Sequence, residues 1–243
     1  MLQGRTVLIT QVQHFVGRPA VRALLDAGAQ VMAQDDDFTD AKARAAWERD
    51  FPGCAATAEQ DPDALVGLAV ERFGQLDALV NNDAYPAVKA AVEEADAEEF
   101  RRGIEGMMVR PFRLTGAAVR HMKPRRSGAI LFVTSASTVH GIPNYSMYVA
   151  ARAGANGLAV TLAKELARHN IVVNALAPNF VESPTYFPAS LMEDPKTRDK
   201  ILSNIPLRRL GRPEEVAAAI VFLVSGQSDF LTGQVIPIAG GWA

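Results

Sequence analysis

The sequence predicts an α/β fold, a parallel sheet with helices on both faces. Short β-branched runs alternate with longer Ala- and Leu-rich stretches from end to end, and Gly and Pro punctuate the joints between them. The strand-like runs are Thr6–Thr10, Gln30–Gln34, Cys54–Ala58, Asp77–Asn81, Ala129–Thr134, Ile171–Ala177 and Val235–Ile238. The helical stretches between them are Arg18–Ala27, Asp40–Asp50, Pro62–Phe73, Ala97–Met122, Ser146–Ala167 and Pro213–Ser225. Gly28 and Gly74 stop the first and third helices, where a left-handed residue suits glycine, and Pro19 and Pro213 stand near helix starts, where a missing N–H costs nothing.

The 243 residues are 49% hydrophobic, enough for a full core, and are read as one domain, 1–243, with a loop or lid insertion at about 178–205. The Pro-rich stretch Pro178 to Pro195 follows a strand, which makes it a candidate lid or pocket wall, because open α/β sheets bind ligands beyond the carboxyl ends of their strands. With 25 Lys plus Arg against 27 Asp plus Glu, the formal charge of -2 argues against nucleic acid or an anionic membrane as partner. The longest apolar run, Ala217 to Val224, is far short of the roughly 20 residues that span a bilayer. No targeting segment precedes Thr6–Thr10, so a cytoplasmic location is expected. Cys54 is the only cysteine and the four histidines lack ligand spacing, so no disulfide and no metal site is expected.

The chemistry points to Ser135, Tyr148 and Arg152. Ser135 follows a strand, and Tyr148 and Arg152 stand at i and i+4 of one helix, where a phenol and a guanidinium share a face. An ordinary phenol ionises near pH 10, and a fixed cation beside it favours the phenolate, so Tyr148 can act as a general base. The same spacing also fits a buried tyrosine bonded to serine beside a surface arginine.

Further motifs decide between these readings. Asn81-Asn82 at a strand end, the Ser135/Tyr148 spacing, the run Val173 to Pro178, the run Leu207 to Glu215 and the ending Leu231-Thr232-Gly233-Gln234 through Gly240-Gly241 together resemble the short-chain dehydrogenase/reductase superfamily. The resemblance covers the whole chain. It implies a Rossmann-like, doubly wound parallel sheet of about seven strands and a dimeric or tetrameric assembly, here expected as a homotetramer.

The departures from that pattern are informative. Where such dehydrogenases carry T-G-x-x-x-G-x-G to receive the cofactor pyrophosphate, this chain reads Thr10 to Gly17, with Gln11 and Phe15 at two of the glycine positions. Asp83 stands where N-N-A-G has alanine, Met107 replaces the helix asparagine, and Arg152 replaces the catalytic lysine. The Ser-Tyr-Arg triad, the aromatic in the phosphate loop and Pro178-Asn179-Phe180 resemble the halohydrin dehalogenases. That resemblance implies reversible, cofactor-free conversion of vicinal haloalcohols to epoxides and epoxide opening by small anions. Ser135 would bind the substrate oxygen, Tyr148 take its proton and Arg152 hold Tyr148 in its acidic form. Phe15, Pro178, Asn179, Phe180, Val181 and Phe187 match the segments around the halide. Aromatic edges and loop backbone N–H groups suit a weakly hydrated anion. Whether Tyr186 or Phe187 faces the pocket stays open. Asp83 is carried as a halide- or substrate-site residue that can orient Arg152 or a loop amide, or serve a turn. Loops near Tyr85, His140–Asn144 and Thr185–Met192 are expected to close over the pocket.

Asp35 favours a different reading, a nicotinamide-dependent oxidoreductase with an unusual phosphate loop, because it ends the second strand where an acid binds the adenosine ribose. It also fits a solvated strand-end carboxylate. A catalytically silent ligand-binding homologue is the remaining alternative. His14 and His140 read as surface or loop residues without a carboxylate partner, and Trp242 as a subunit-contact residue.

Overall fold

The structure, a computed structural model, describes residues 1–184, 186–227 and 229–243. Seven strands, β1 (Thr6–Ile9), β2 (Gln30–Gln34), β3 (Cys54–Thr57), β4 (Ala78–Asn81), β5 (Gly128–Val133), β6 (Ile171–Pro178) and β7 (Val235–Ile238), form one sheet in the order β3-β2-β1-β4-β5-β6-β7. Every neighbouring pair is parallel. The helices are α1 (Gly17–Asp26), α2 (Ala41–Asp50), α3 (Pro62–Phe73), α4 (Ala97–Ile104), α5 (Arg110–Arg125), α6 (Ser137–His140), α7 (Ser146–Leu166), α8 (Pro195–Ser203) and α9 (Pro213–Val224).

The central strands β1, β4, β5 and β6 bury both faces, since successive side chains point to opposite sides and helices cover each, while the edge strands β3 and β7 are only partly buried. On one face Val7 and Ile9 of β1 pack with Ala20 and Leu24 of α1 and Val216 and Ile220 of α9. On the other, Leu8 packs with Leu65 of α3, Leu114 of α5 and Ala159 of α7. The fully buried leucines and isoleucines each contribute about 1.5–3 kcal/mol of transfer free energy. On α7, Ala151, Ala155, Ala159 and Ala163 are buried at four-residue intervals, and this stripe of small side chains lets the helix lie close on β6.

The expected helix Ala97–Met122 is corrected by the structure. It divides into α4, a π-turn at Glu105–Val109, and α5. Pro111 gives the reason: it has no N–H, and its ring would collide with the carbonyl four residues back, that of Met107, so the ladder widens there. The insertion expected at about 178–205 holds α8, which Asp194 caps through the Thr197 N–H at 2.9 Å.

Hydrogen bonds beyond the strand ends align four segments along one edge of the sheet. The Thr10 N–H reaches the Val80 carbonyl (3.2 Å), Thr134 reaches Leu176 (2.7 Å) and Ala136 reaches Pro178 (3.1 Å). The residues after β1, β4, β5 and β6 therefore meet, which is where an open α/β sheet places its ligand. Among the described residues no helix is long and apolar enough to cross a membrane.

Candidate active site

A cavity of about 210 Å³ opens at this edge. Its wall combines Ser135 from the end of β5, Tyr148 from the first turns of α7, Phe15 from the β1–α1 loop, and Pro178, Asn179, Phe180, Val181, Tyr186 and Phe187 from β6 and the segment after it. Of the expected catalytic and halide- or substrate-site residues, only Arg152 and Asp83 stand outside the wall.

Arg152 lies directly behind Tyr148, its guanidinium carbon 5.3 Å from the phenol ring centroid. It is buried, and its Nη1 donates to the Asp83 carbonyl (2.9 Å) and the Val133 carbonyl (3.0 Å). Nη2 donates to the Tyr186 hydroxyl at 3.4 Å. Burial opposes the cation, but the phenols of Tyr148 and Tyr186 beside it more than offset that, so its pKa rises above the ordinary arginine value. The alternative of a surface arginine is thereby corrected.

Ser135 shares the cavity with Tyr148, but its hydroxyl is turned aside: it donates to the Ser137 hydroxyl (2.9 Å) and accepts the Ser137 N–H (3.2 Å). Asp83 lies off the cavity wall rather than at the expected halide or substrate site, but it orients Arg152, as the sequence also allowed. Its carboxylate accepts the Thr10 hydroxyl at 2.9 Å, away from the cavity wall, and it is its backbone carbonyl that holds Arg152. Burial pushes the Asp83 carboxyl above the usual carboxylate range, against the pull of Arg110, Thr10 and Arg152.

The anion side of the cavity is aromatic. The Phe15 and Tyr186 rings meet edge to face at 5.5 Å, and Phe180 packs on Phe187 at 5.5 Å, so both Tyr186 and Phe187 face the pocket. Phe15 (φ 48°) and Phe180 (φ 54°) each hold a left-handed backbone, a strain that the surrounding fold maintains at the site. The expected loop backbone donors are largely committed, since the Asn179 N–H goes to the Ile238 carbonyl (3.0 Å) and the Phe180 N–H to Asn179 Oδ1 (2.9 Å). What the segment offers instead is Asn179 Nδ2, a buried donor with no partner among the described residues.

A dinucleotide does not fit these residues. Gln11 Oε1 accepts the Ala84 N–H at 2.8 Å, closing the gap between the β1 and β4 ends, and the Phe15 ring lines the cavity beyond it. Asp35, expected as a solvated carboxylate or a ribose ligand, is fully buried and accepts the N–H groups of Gln13 (2.8 Å) and Asp37 (3.1 Å). Arg110 is forked onto Asp36 (2.7 and 3.0 Å) in the groove beside β2. Among the described residues His14 does have carboxylate neighbours, Asp35 and Asp37, with all three ligand atoms within 4.8 Å of one another. Adjacent strand-end loops bring them together without any sequence spacing to announce it.

Trp242, expected at a subunit contact, packs within its own chain edge-on to Phe180 (5.4 Å) and to His140 (4.9 Å), and His140 Nε2 bonds its carbonyl (2.8 Å). Ser137 and Tyr145 line the cavity without having been expected there, whereas Ile142 belongs to the loop His140–Asn144 expected over the pocket. Tyr145 stood three residues before Tyr148 at a helix start, and that spacing was a usable signal. Tyr85 supplies its carbonyl to the Tyr186 hydroxyl and His140 lies beside Trp242, while Thr185 lies outside the described residues.

The family model described as enoyl-(acyl carrier protein) reductase matches residues 13–243. The 3-oxoacyl-[acyl-carrier-protein] reductase of Thermotoga maritima is 35% identical over 246 residues, 99% of this chain and 98% of that protein. Among solved structures, one described as a dehalogenation enzyme is 49% identical with a TM-score of 0.97 over all of both chains. A halohydrin dehalogenase bound to ethyl (2S)-oxiran-2-ylacetate is 36% identical with a TM-score of 0.93, covering 97% of this chain and 96% of that one. The chain belongs to the halohydrin dehalogenase family of short-chain dehydrogenases/reductases. Oxidoreductases such as the Thermotoga maritima reductase share about a third of its sequence, and a shared fold does not by itself settle the chemistry.

Proposed function

We propose that this protein acts in the cytoplasm, as a homotetramer, on vicinal haloalcohols, closing them to epoxides with release of halide, and that it opens epoxides with small anions in the reverse direction, using no nicotinamide cofactor. The observation that carries this reading is one cavity with a phenol backed by a buried arginine on one side and aromatic rings with a buried amide donor on the other.

The chemistry follows from that arrangement. Tyr148, as phenolate, takes the hydroxyl proton of the substrate, and the resulting alkoxide attacks the neighbouring carbon. A C–O bond forms, the C–halogen bond breaks, and the halide leaves with the bonding pair. Ser135 turns its hydroxyl from Ser137 to the substrate oxygen, fixing the alkoxide in line with the leaving group. Arg152 stabilises the phenolate from behind without touching substrate. Asn179 Nδ2 and the ring edges of Phe15, Phe180 and Phe187 receive the halide, a weakly hydrated anion that needs few strong donors. Pro178 and Val181 complete the wall as apolar packing.

The test is halide release from 1,3-dichloro-2-propanol by purified protein with no nicotinamide present. Release is expected from the parent and lost by about 10²-fold or more in Tyr148→Phe, which removes the base and keeps the ring. No release from this substrate or an aromatic analogue overturns the reading, and so does a Tyr148→Phe variant of parental rate.

A further inference from the structure

Ser135, just past β5, and Ser137, the first residue of α6, are both buried and both on the cavity wall. Their hydroxyl oxygens are 2.9 Å apart, and the Ser137 N–H also reaches Ser135 Oγ, at 3.2 Å. The surrounding chain holds this pair in place. The Ala136 N–H bonds the Pro178 carbonyl (3.1 Å), the Thr138 hydroxyl donates to the Ser135 carbonyl (3.0 Å), and Asn156 on α7 donates its amide to the Thr138 hydroxyl (2.9 Å).

A serine hydroxyl carries a single proton and a pair of acceptor sites, so a hydrogen bond between two serines can run in either direction. With Ser135 as donor, its only proton goes to Ser137 and none is left for a ligand. The proton of Ser137 itself has no acceptor among the described residues, so aiming it at Ser135 breaks no other bond. In that reversed arrangement Ser135 Oγ accepts both the N–H and the hydroxyl of Ser137. Its acceptor sites are then filled, and its one proton is free for an oxygen in the cavity.

We infer that Ser137 is a positioning residue for Ser135: when substrate enters, the hydrogen bond between them reverses, and Ser135 becomes a donor to the substrate oxygen. This deepens the proposed function and rests on it. As Tyr148 withdraws the substrate proton, negative charge grows on that oxygen, so a donor held toward it is worth more in the transition state than in the ground state. Without the Ser137 hydroxyl an acceptor site on Ser135 stands open, and Ser135 competes with Tyr148 for the substrate proton instead of donating its own. The Ser137 N–H bond persists in both arrangements, so the reversal needs rotation of two hydroxyls and no movement of the backbone.

The test is a double-mutant cycle on halide release from 1,3-dichloro-2-propanol, comparing the parent, Ser135→Ala, Ser137→Ala and the double variant. Ser137→Ala is expected to lose about 3- to 10-fold in kcat, the share of one neutral hydrogen bond, with KM changed by less than about twofold. In the Ser135→Ala background the same substitution costs less than about twofold, because the hydroxyl through which Ser137 acts is gone. Ser137→Thr, which keeps a hydroxyl at this position, regains most of the lost rate. Parental kcat in Ser137→Ala, additive losses in the double variant, or a Ser137→Thr variant as slow as Ser137→Ala overturns the inference. So does a loss carried by KM alone, which would make Ser137 a direct contact of the substrate. A parent that releases no halide defeats the proposed function and the inference with it, whereas a parent that releases halide while the losses add defeats the inference alone.

Discussion

A lysine at position 152 would carry the same charge as Arg152 and lose most of its geometry. The guanidinium donates to two carbonyls and a phenol at once, and a single ammonium on a flexible stem cannot reproduce that fork. Arg152→Lys is expected to fall in kcat by about 10- to 100-fold, the equivalent of one charged hydrogen bond lost, and to melt several degrees lower. Halide-release kinetics and a thermal melt check both, and a variant with parental kcat rules out the role given to Arg152. At this scale Tyr148 and Arg152 were legible because helix periodicity puts i and i+4 on one face. The Ser135 to Ser137 bond and the carbonyl role of Asp83 were not, since side-chain rotation and backbone direction leave no mark in residue type. The Asn179 amide was marked in the sequence as a wall residue, but its value as a donor depends on the Phe180 N–H being taken by its own Oδ1.

The loop between β1 and α1 carries the departure from the glycine pattern of the dehydrogenases, at Gln11 and Phe15. Gln11 (φ 45°) and Phe15 (φ 48°) keep the left-handed backbone that glycine would adopt freely, at a cost of about 1–2 kcal/mol each, and use it to aim side chains into the ligand region. Gly17 is retained because a Cβ there would overlap the backbone of Val12, which cannot move aside. Phe15→Gly relieves strain while deleting the ring that meets Tyr186. The expected outcome is a folded protein within about 1–2 kcal/mol of the parent whose inhibition by bromide is weakened about tenfold, the share of a single aromatic contact. Parallel inhibition curves and denaturant melts measure this, and unchanged bromide inhibition would remove Phe15 from the halide site. The π-turn before α5 shows a signal that was present and under-read, for Pro111 stood inside the span taken as one helix. The Asp194-Pro195 start of α8 was likewise visible inside a stretch whose prolines suggested only irregular chain.

Across the whole molecule, Asp83 is a buried carboxyl at the junction of β1, β4 and α5, and its charge bears on stability as well as on the site. Burial raises its folded pKa above the ordinary 3.8, so it binds a proton more tightly folded than unfolded. Its stabilising contribution is complete below 3.8 and is lost as pH rises through the raised value. Asp83→Asn is neutral at every pH and keeps the carbonyl that holds Arg152. Its melting temperature should match the parent near pH 4 and exceed it by a few degrees at neutral pH. A gap independent of pH would show that Asp83 is ionised at no cost in the folded protein.

The sequence by itself determined the alternation of strands and helices, the parallel sheet that follows from it, and the Tyr148–Arg152 pair, because hydrophobic period and short-range spacing are local properties of the chain. Only the tertiary structure decided that Asp35 is consumed by its neighbours, that His14 meets two carboxylates, that Asp83 works through its carbonyl, and that Tyr186 reaches Arg152. Each of these joins a strand-end loop to another part of the fold, either a second such loop or α7. Such contacts are set by strand order and by which backbone donors remain free, and both are fixed only when the whole sheet has formed.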